Sequence, residues 1–165
     1  MKAAFSLAIV GLMASAVADA DWSDYSPGTL HEIVDRHTEI LGEADTLLVP
    51  GLKRTVHLEF GGEIRPLSDN ARSAIAEWVF SMQLSTDIAE LFHAEALFRE
   101  SGTEYWLPIQ QQLVPHLEEE VAAGDSAVLY VLWIGYEAPT WIFLINEFQA
   151  VEPENSRRGA PDTRH

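Results

Sequence analysis

The chain has 165 residues and a mass of 18.4 kDa, with 26 Asp plus Glu against 10 Lys plus Arg, a formal net charge of -16 and no cysteine. That length fits one domain, and a hydrophobic content of 47% supplies a core, which excludes wholesale disorder. The acidic balance excludes the charge-driven grip of a nucleic-acid binder, and the lack of cysteine excludes disulfides, thiol catalysis and Cys-ligated zinc.

The first residues read as a targeting segment. Lys2 precedes a run of apolar and small residues from 3 to 17, and Ala16-Val17-Ala18 or Ala18-Asp19-Ala20 offers a small-x-small cleavage site. We therefore expect residues 1–20 to be a cleaved secretory signal, residues 21–150 a single globular domain, and residues 151–165 a disordered polar tail. The expected location is periplasmic or secreted. The longest later apolar run, 127–136, is about half a bilayer crossing, so no transmembrane span is expected after cleavage.

Thr29 and Glu32 stand at capping-box spacing, and Leu30, Ile33, Val34, His37, Ile40 and Leu41 form one stripe, which predicts a first helix stopped by Gly42. Residues 45–51 read as a connecting loop. Over 52–60, Val56, Leu58 and Phe60 alternate with Thr55, His57 and Glu59, as in a half-buried strand. Gly61-Gly62 then predicts a tight hairpin into a short return strand, 63–65, that Pro66 ends. Ser68 is placed to cap a second helix reaching about residue 83, with Ala71, Ile75, Trp78, Val79 and Met82 on one face.

Segment 86–99 carries both helical and alternating periods. The turn signal Ser101-Gly102, followed by Thr103-Glu104-Tyr105-Trp106-Leu107, decides for a strand over 91–99 and a hairpin whose second arm Pro108 closes. Pro115 suits the first turn of a short helix ending near 123, with Val114, Leu117 and Val121 inward. Residues 127–134 and 140–148 predict two strands apolar on both faces, which need cover on both sides from helices or from a partner chain. The fold class that follows is α+β: a mainly antiparallel sheet, or an OB-like five-stranded barrel, with the N-terminal helices packed over it.

Three groups of residues offer chemistry. His57-x-Glu59 and His93-x-Glu95 each place an imidazole and a carboxylate on one face of a strand, and on adjacent strands the four are competent ligands for zinc or another divalent metal. Alternation puts all four on the solvent side, where an ordinary polar face explains them equally well. Lys53, Arg54, Arg65 and Arg72 gather much of the positive charge into one segment, an anion-binding patch or else a set of surface pairs. Tyr136 and Trp141, with Tyr105, are the aromatic residues placed for ligand or partner contact, although aromatics at strand spacing also build cores.

These features favour an exported, non-catalytic domain, without a cofactor, that binds an envelope protein, a peptide or a small ligand, with homo-oligomerisation compatible and nucleic acid disfavoured. The alternative is a metal-dependent hydrolase in which His57, Glu59, His93 and Glu95 hold the metal that activates water.

Overall fold

A computed structural model of the chain describes residues 22–151, so the expected signal, and the expected tail beyond Val151, lie outside the described residues. The fold is mixed α+β. A short strand β1 (Ser26–Pro27) precedes helix α1 (Leu30–Leu41), the long strand β2 (Thr46–Pro66) and helix α2 (Asp69–Ser81). A hairpin of β3 (Phe92–Glu100) and β4 (Thr103–Gln110), helix α3 (Val114–Glu120), and a second hairpin of β5 (Ser126–Glu137) and β6 (Thr140–Ala150) complete it. Among the described residues no helix is long and apolar enough to cross a membrane.

The sheet closes on itself in a ring, in the order β2-β3-β4-β6-β5 and back to β2, with β1 added in parallel beside Arg54 and Thr55. Closure depends on β2, which pairs with β5 over 46–59 and with β3 over 59–66. Here the structure departs from the sequence expectation. Residues 46–51 belong to the strand, and Gly61-Gly62 makes a bulge between Phe60 and Ile64, with no hairpin. The bulge lets the strand turn to a new neighbour without ending. Gly62 has φ of 82°, and a Cβ there would meet that of Ala123 at 2.5 Å, so the loop after α3 can approach only a glycine. Likewise β4 runs through Pro108, and β5 and β6 extend to a two-residue turn at Ala138-Pro139.

Alternation fills the ring. Val56, Leu58 and Phe60 of β2 meet Ala96 and Phe98 of β3, Leu107 and Ile109 of β4, Leu129, Val131 and Trp133 of β5, and Phe143 and Ile145 of β6, all buried. Leu30 and Ile33 of α1 join this core at the end where β3 turns into β4, and Leu117 of α3 joins it at the opposite end. The capping box on α1 forms as its spacing predicts: Glu32 N–H donates to Thr29 Oγ1 at 3.1 Å, and Thr29 N–H donates to Glu32 Oε2 at 3.2 Å.

The ring has one thin seam. β4 and β6 are parallel and share a single registered pair, Ile109 with Ile145. Helix α2, capped by Ser68 as expected, spans this seam from outside: Ser68 Oγ reaches β3 at Glu95, and Asn70 Nδ2 donates to Ala138 O at the β5–β6 turn. Its Ala71, Ile75, Trp78 and Val79 pack on the outer residues Ile134, Ile142 and Leu144, and each large side chain so buried contributes about 2 kcal/mol. The doubly apolar strands of the sequence thus receive their second cover from α2.

Gly135 offers a test of how closely the ring is drawn. Its φ is 149°, and a Cβ there would lie 2.0 Å from the carbonyl oxygen of Leu47, a backbone atom that cannot step aside. Gly135→Ala is expected to cost about 3 kcal/mol, read as a fall in the urea midpoint with an unchanged slope.

Candidate functional site

The two His-Glu pairs do not converge. Glu59 lies opposite Arg99, and Arg65 lies opposite Glu95. His93 therefore sits six residues along β3 from the level of Glu59, roughly 20 Å away at strand rise. Glu95 also departs from the expected solvent face, since its side chain is 0% exposed. Its carboxylate accepts from Arg65 Nε at 2.8 Å and from Ser68 Oγ at 2.6 Å. Among the described residues no group of three or more His, Asp or Glu side chains is placed to hold a metal ion.

The expected anion-binding patch is likewise distributed over separate contacts. Lys53 pairs with Asp24 at 3.2 Å, while Arg54 donates to Ser26 Oγ and to Lys53 O. Arg65 lies flat on the Trp106 ring, 3.9 Å from its centroid, with Glu95 as its ion-pair partner, and Arg72 donates to Leu67 O. Neighbouring positions on a strand face opposite ways, which separates Lys53 from Arg54.

Tyr136 and Trp141 pack against each other at a tilt of 54° with centroids 5.0 Å apart, and Trp141 reaches Trp133 at 6.0 Å. Both are half-buried. His37 of α1 closes this cluster, lying 4.3 Å from the Trp133 ring with its Nδ1 on Ile33 O at 2.7 Å. Tyr105 packs edge-on against Phe143. Burial, followed by the fields of Glu100 and Asp35, raises its phenol above the ordinary value.

His57 and Glu59 instead face a cleft of about 560 Å³ with Gly28, Thr29, Arg99, Glu100, Ser101 and Gly102. It opens where β2 exchanges partners: β1 pairs as far as Thr55 and β3 begins at Glu59, leaving residues 56–58 without a strand partner on that edge. Arg99 stands between Glu59 at 3.5 Å and Glu104 at 3.1 Å, and the hydrogen bond to Glu104 is the main cause that raises its pKa. Glu100 accepts from the N–H groups of Leu30 at 3.0 Å and His31 at 2.8 Å, which fixes the start of α1 to the β3–β4 turn. Ser101 holds a positive φ of 50° at the turn tip. The cleft thus presents an imidazole, a paired guanidinium, two carboxylates and hydroxyls, a set suited to orienting a polar ligand by hydrogen bonds.

The sequence marked His57 and Glu59 but not the rest of this cleft. Ser101-Gly102 is visible there only as a turn, and the contact of Glu100 with Leu30 spans 70 residues, beyond any local spacing signal. A scan of protein-family models finds no match to this chain, and a search of curated proteins finds none either.

Near α3, half-buried Glu147 of β6 has a raised pKa, caused first by burial and then by nearby Glu120, against the lowering effect of the Phe148 N–H and His116. Between the ordinary carboxylate range and that raised value, the folded chain holds a proton that the unfolded chain has released. Stability from this group therefore falls as pH rises through the interval. Glu147→Gln keeps the oxygen that accepts from Phe148 and removes the loss. Thermal unfolding is expected to show the variant more stable than wild type at neutral pH, the two converging in acid below about pH 4.

Proposed function

We propose that the chain is an exported, non-catalytic binding domain of OB-like architecture, which holds a polar ligand, a small molecule or a short peptide of the envelope, in the cleft at His57, Glu59 and Arg99. The observation that carries this reading is the cleft itself: a strand edge without a partner, surrounded by donors and acceptors from three parts of the chain. The OB-like reading is supported by five long strands that follow one another around the ring as first, second, third, fifth and fourth, with a helix between third and fourth. Domains of that architecture take ligands over the second and third strands and the neighbouring connections. In this chain α2 fills part of that surface, which leaves the opposite flank of β2 as the open approach. Half-exposed Tyr136, Trp141 and Tyr105 offer a further aromatic contact area outside the cleft, with Tyr136 opposite Leu47 and His57 opposite Val128. The net charge of -16 favours a neutral or cationic ligand over a polyanion.

Native mass spectrometry of the exported chain, purified without denaturation, is expected to show a reproducible adduct that is lost when His57→Trp fills the cleft. The same adduct on the variant, or bare chain in both, removes the cleft from the proposal. The secretory reading has its own check: the intact mass of the exported chain is expected to match a start at residue 19 or 21. A chain that keeps residues 1–18 contradicts it.

A further inference from the structure

A second groove, of about 570 Å³, begins at Phe60, the residue of β2 next to Glu59, and lies between the β2 bulge and α3. Its apolar lining is Phe60, Ile64, Val121 and Ala122, and its acidic lining is Glu63 and Glu118. Both glutamates are exposed, and neither has an ion-pair or hydrogen-bond partner among the described residues. No lysine or arginine among the described residues lines the groove. An apolar floor beside two unpaired carboxylates matches one kind of side chain, a cation on an aliphatic stem, which lays its methylenes on the floor and its charge between the acids.

The chain carries such side chains close by. Strand β6 ends beside the groove: Val151 N–H donates to Ser126 O at 3.1 Å, and the adjoining residues Gly124 and Asp125 are hydrogen-bonded to Phe60. Beyond Val151 come Glu152 and Glu154 and then Arg157, Arg158 and Arg164, three of the ten cationic Lys and Arg residues of the whole chain. From Val151 to Arg157 is six residues, a reach of up to about 20 Å from a point, at Ser126, two residues along the chain from the Gly124–Phe60 hydrogen bond. A tether that short holds its arginines near the groove at an effective concentration on the order of millimolar, so weak contacts suffice for occupancy.

We propose that this groove is the docking site of the chain's own arginine-bearing C-terminal segment, with Arg157 or Arg158 set against Glu63 and Glu118. Docking neutralises the two unpaired carboxylates and screens the groove from basic partners. The groove neighbours the ligand cleft along β2, at Phe60 and Glu59, but shares no lining residue with it, so either site can fail without the other.

The cysteine-free sequence makes the test direct. In the full chain, Ala160→Cys provides a single position for a nitroxide spin label, and the isotope-labelled protein reports through its amide resonances. Residues 61–64 and 118–123 are expected to lose at least roughly twofold in intensity, consistent with tethered occupancy. Glu63→Gln with Glu118→Gln, Arg157→Ser with Arg158→Ser, or about 0.5 M salt should each restore most of it. Glu39→Gln with Glu43→Gln, which removes the same two charges from exposed positions in and just after α1, should leave the loss in place. Broadening spread evenly over the surface, centred elsewhere, or unchanged by the two glutamate substitutions overturns the proposal. So does broadening that arises only when spin-labelled chains are mixed with isotope-labelled ones, because the groove then takes the segment from a second copy.

Discussion

The whole arrangement depends on one strand having two neighbours on opposite edges. β2 spends residues 46–59 on β5 and residues 59–66 on β3, and its backbone hydrogen bonds are what join the first hairpin to the second. A strand of 21 residues cannot do this while straight, so it bulges twice, between Leu48 and Leu52 and between Phe60 and Ile64. Both clefts follow from this. One opens where β2 leaves β1 before it meets β3, and the other lies beside the second bulge, where the exit of α3 comes against Gly62.

Ring closure leaves a weak point between β4 and β6, and α2 compensates for it. The helix brings apolar side chains to the outer face and a hydroxyl to Glu95, so the buried carboxylate is satisfied by the cap of the helix and by Arg65 together. A buried charge of this kind is tolerated only with complete partners, and it penalises any packing that moves α2 away from β3. Trp106 completes the cover by lying against the other face of the guanidinium. What the sequence offered as a metal ligand serves here to hold a helix in place.

The charge of the protein takes a sharper form in the folded structure. Five of the cations, Lys53, Arg54, Arg65, Arg72 and Arg99, are engaged with carboxylates, hydroxyls or carbonyls, each in its own contact. Among the described residues Glu63 and Glu118 at the groove by α3 lack partners, while in the cleft by α1 Glu59 pairs with Arg99 and Glu100 accepts from the N–H groups of Leu30 and His31. The two clefts along β2 therefore differ in the chemistry they present: hydrogen bonding at one, attraction for a cation at the other.

Local patterns determined much of the fold. The capping box and stripe of α1, the Ser68 cap of α2, the β3–β4 hairpin at Ser101-Gly102 and the doubly apolar strands β5 and β6 all stand in the structure, because capping, turn geometry and side-chain period act over a few residues. Two glycines in a row, however, serve a hairpin or a bulge equally well, and only the availability of β3 as a new neighbour decided that β2 should continue. Burial is settled in the same way. Alternation assigned Glu95 to solvent, and a helix from elsewhere in the chain covered it. The sequence by itself determined the helices, the two C-terminal hairpins and the surplus of acid; only tertiary structure decided how far β2 runs and which acids are buried, paired or left open, because that depends on contacts between residues far apart in the chain.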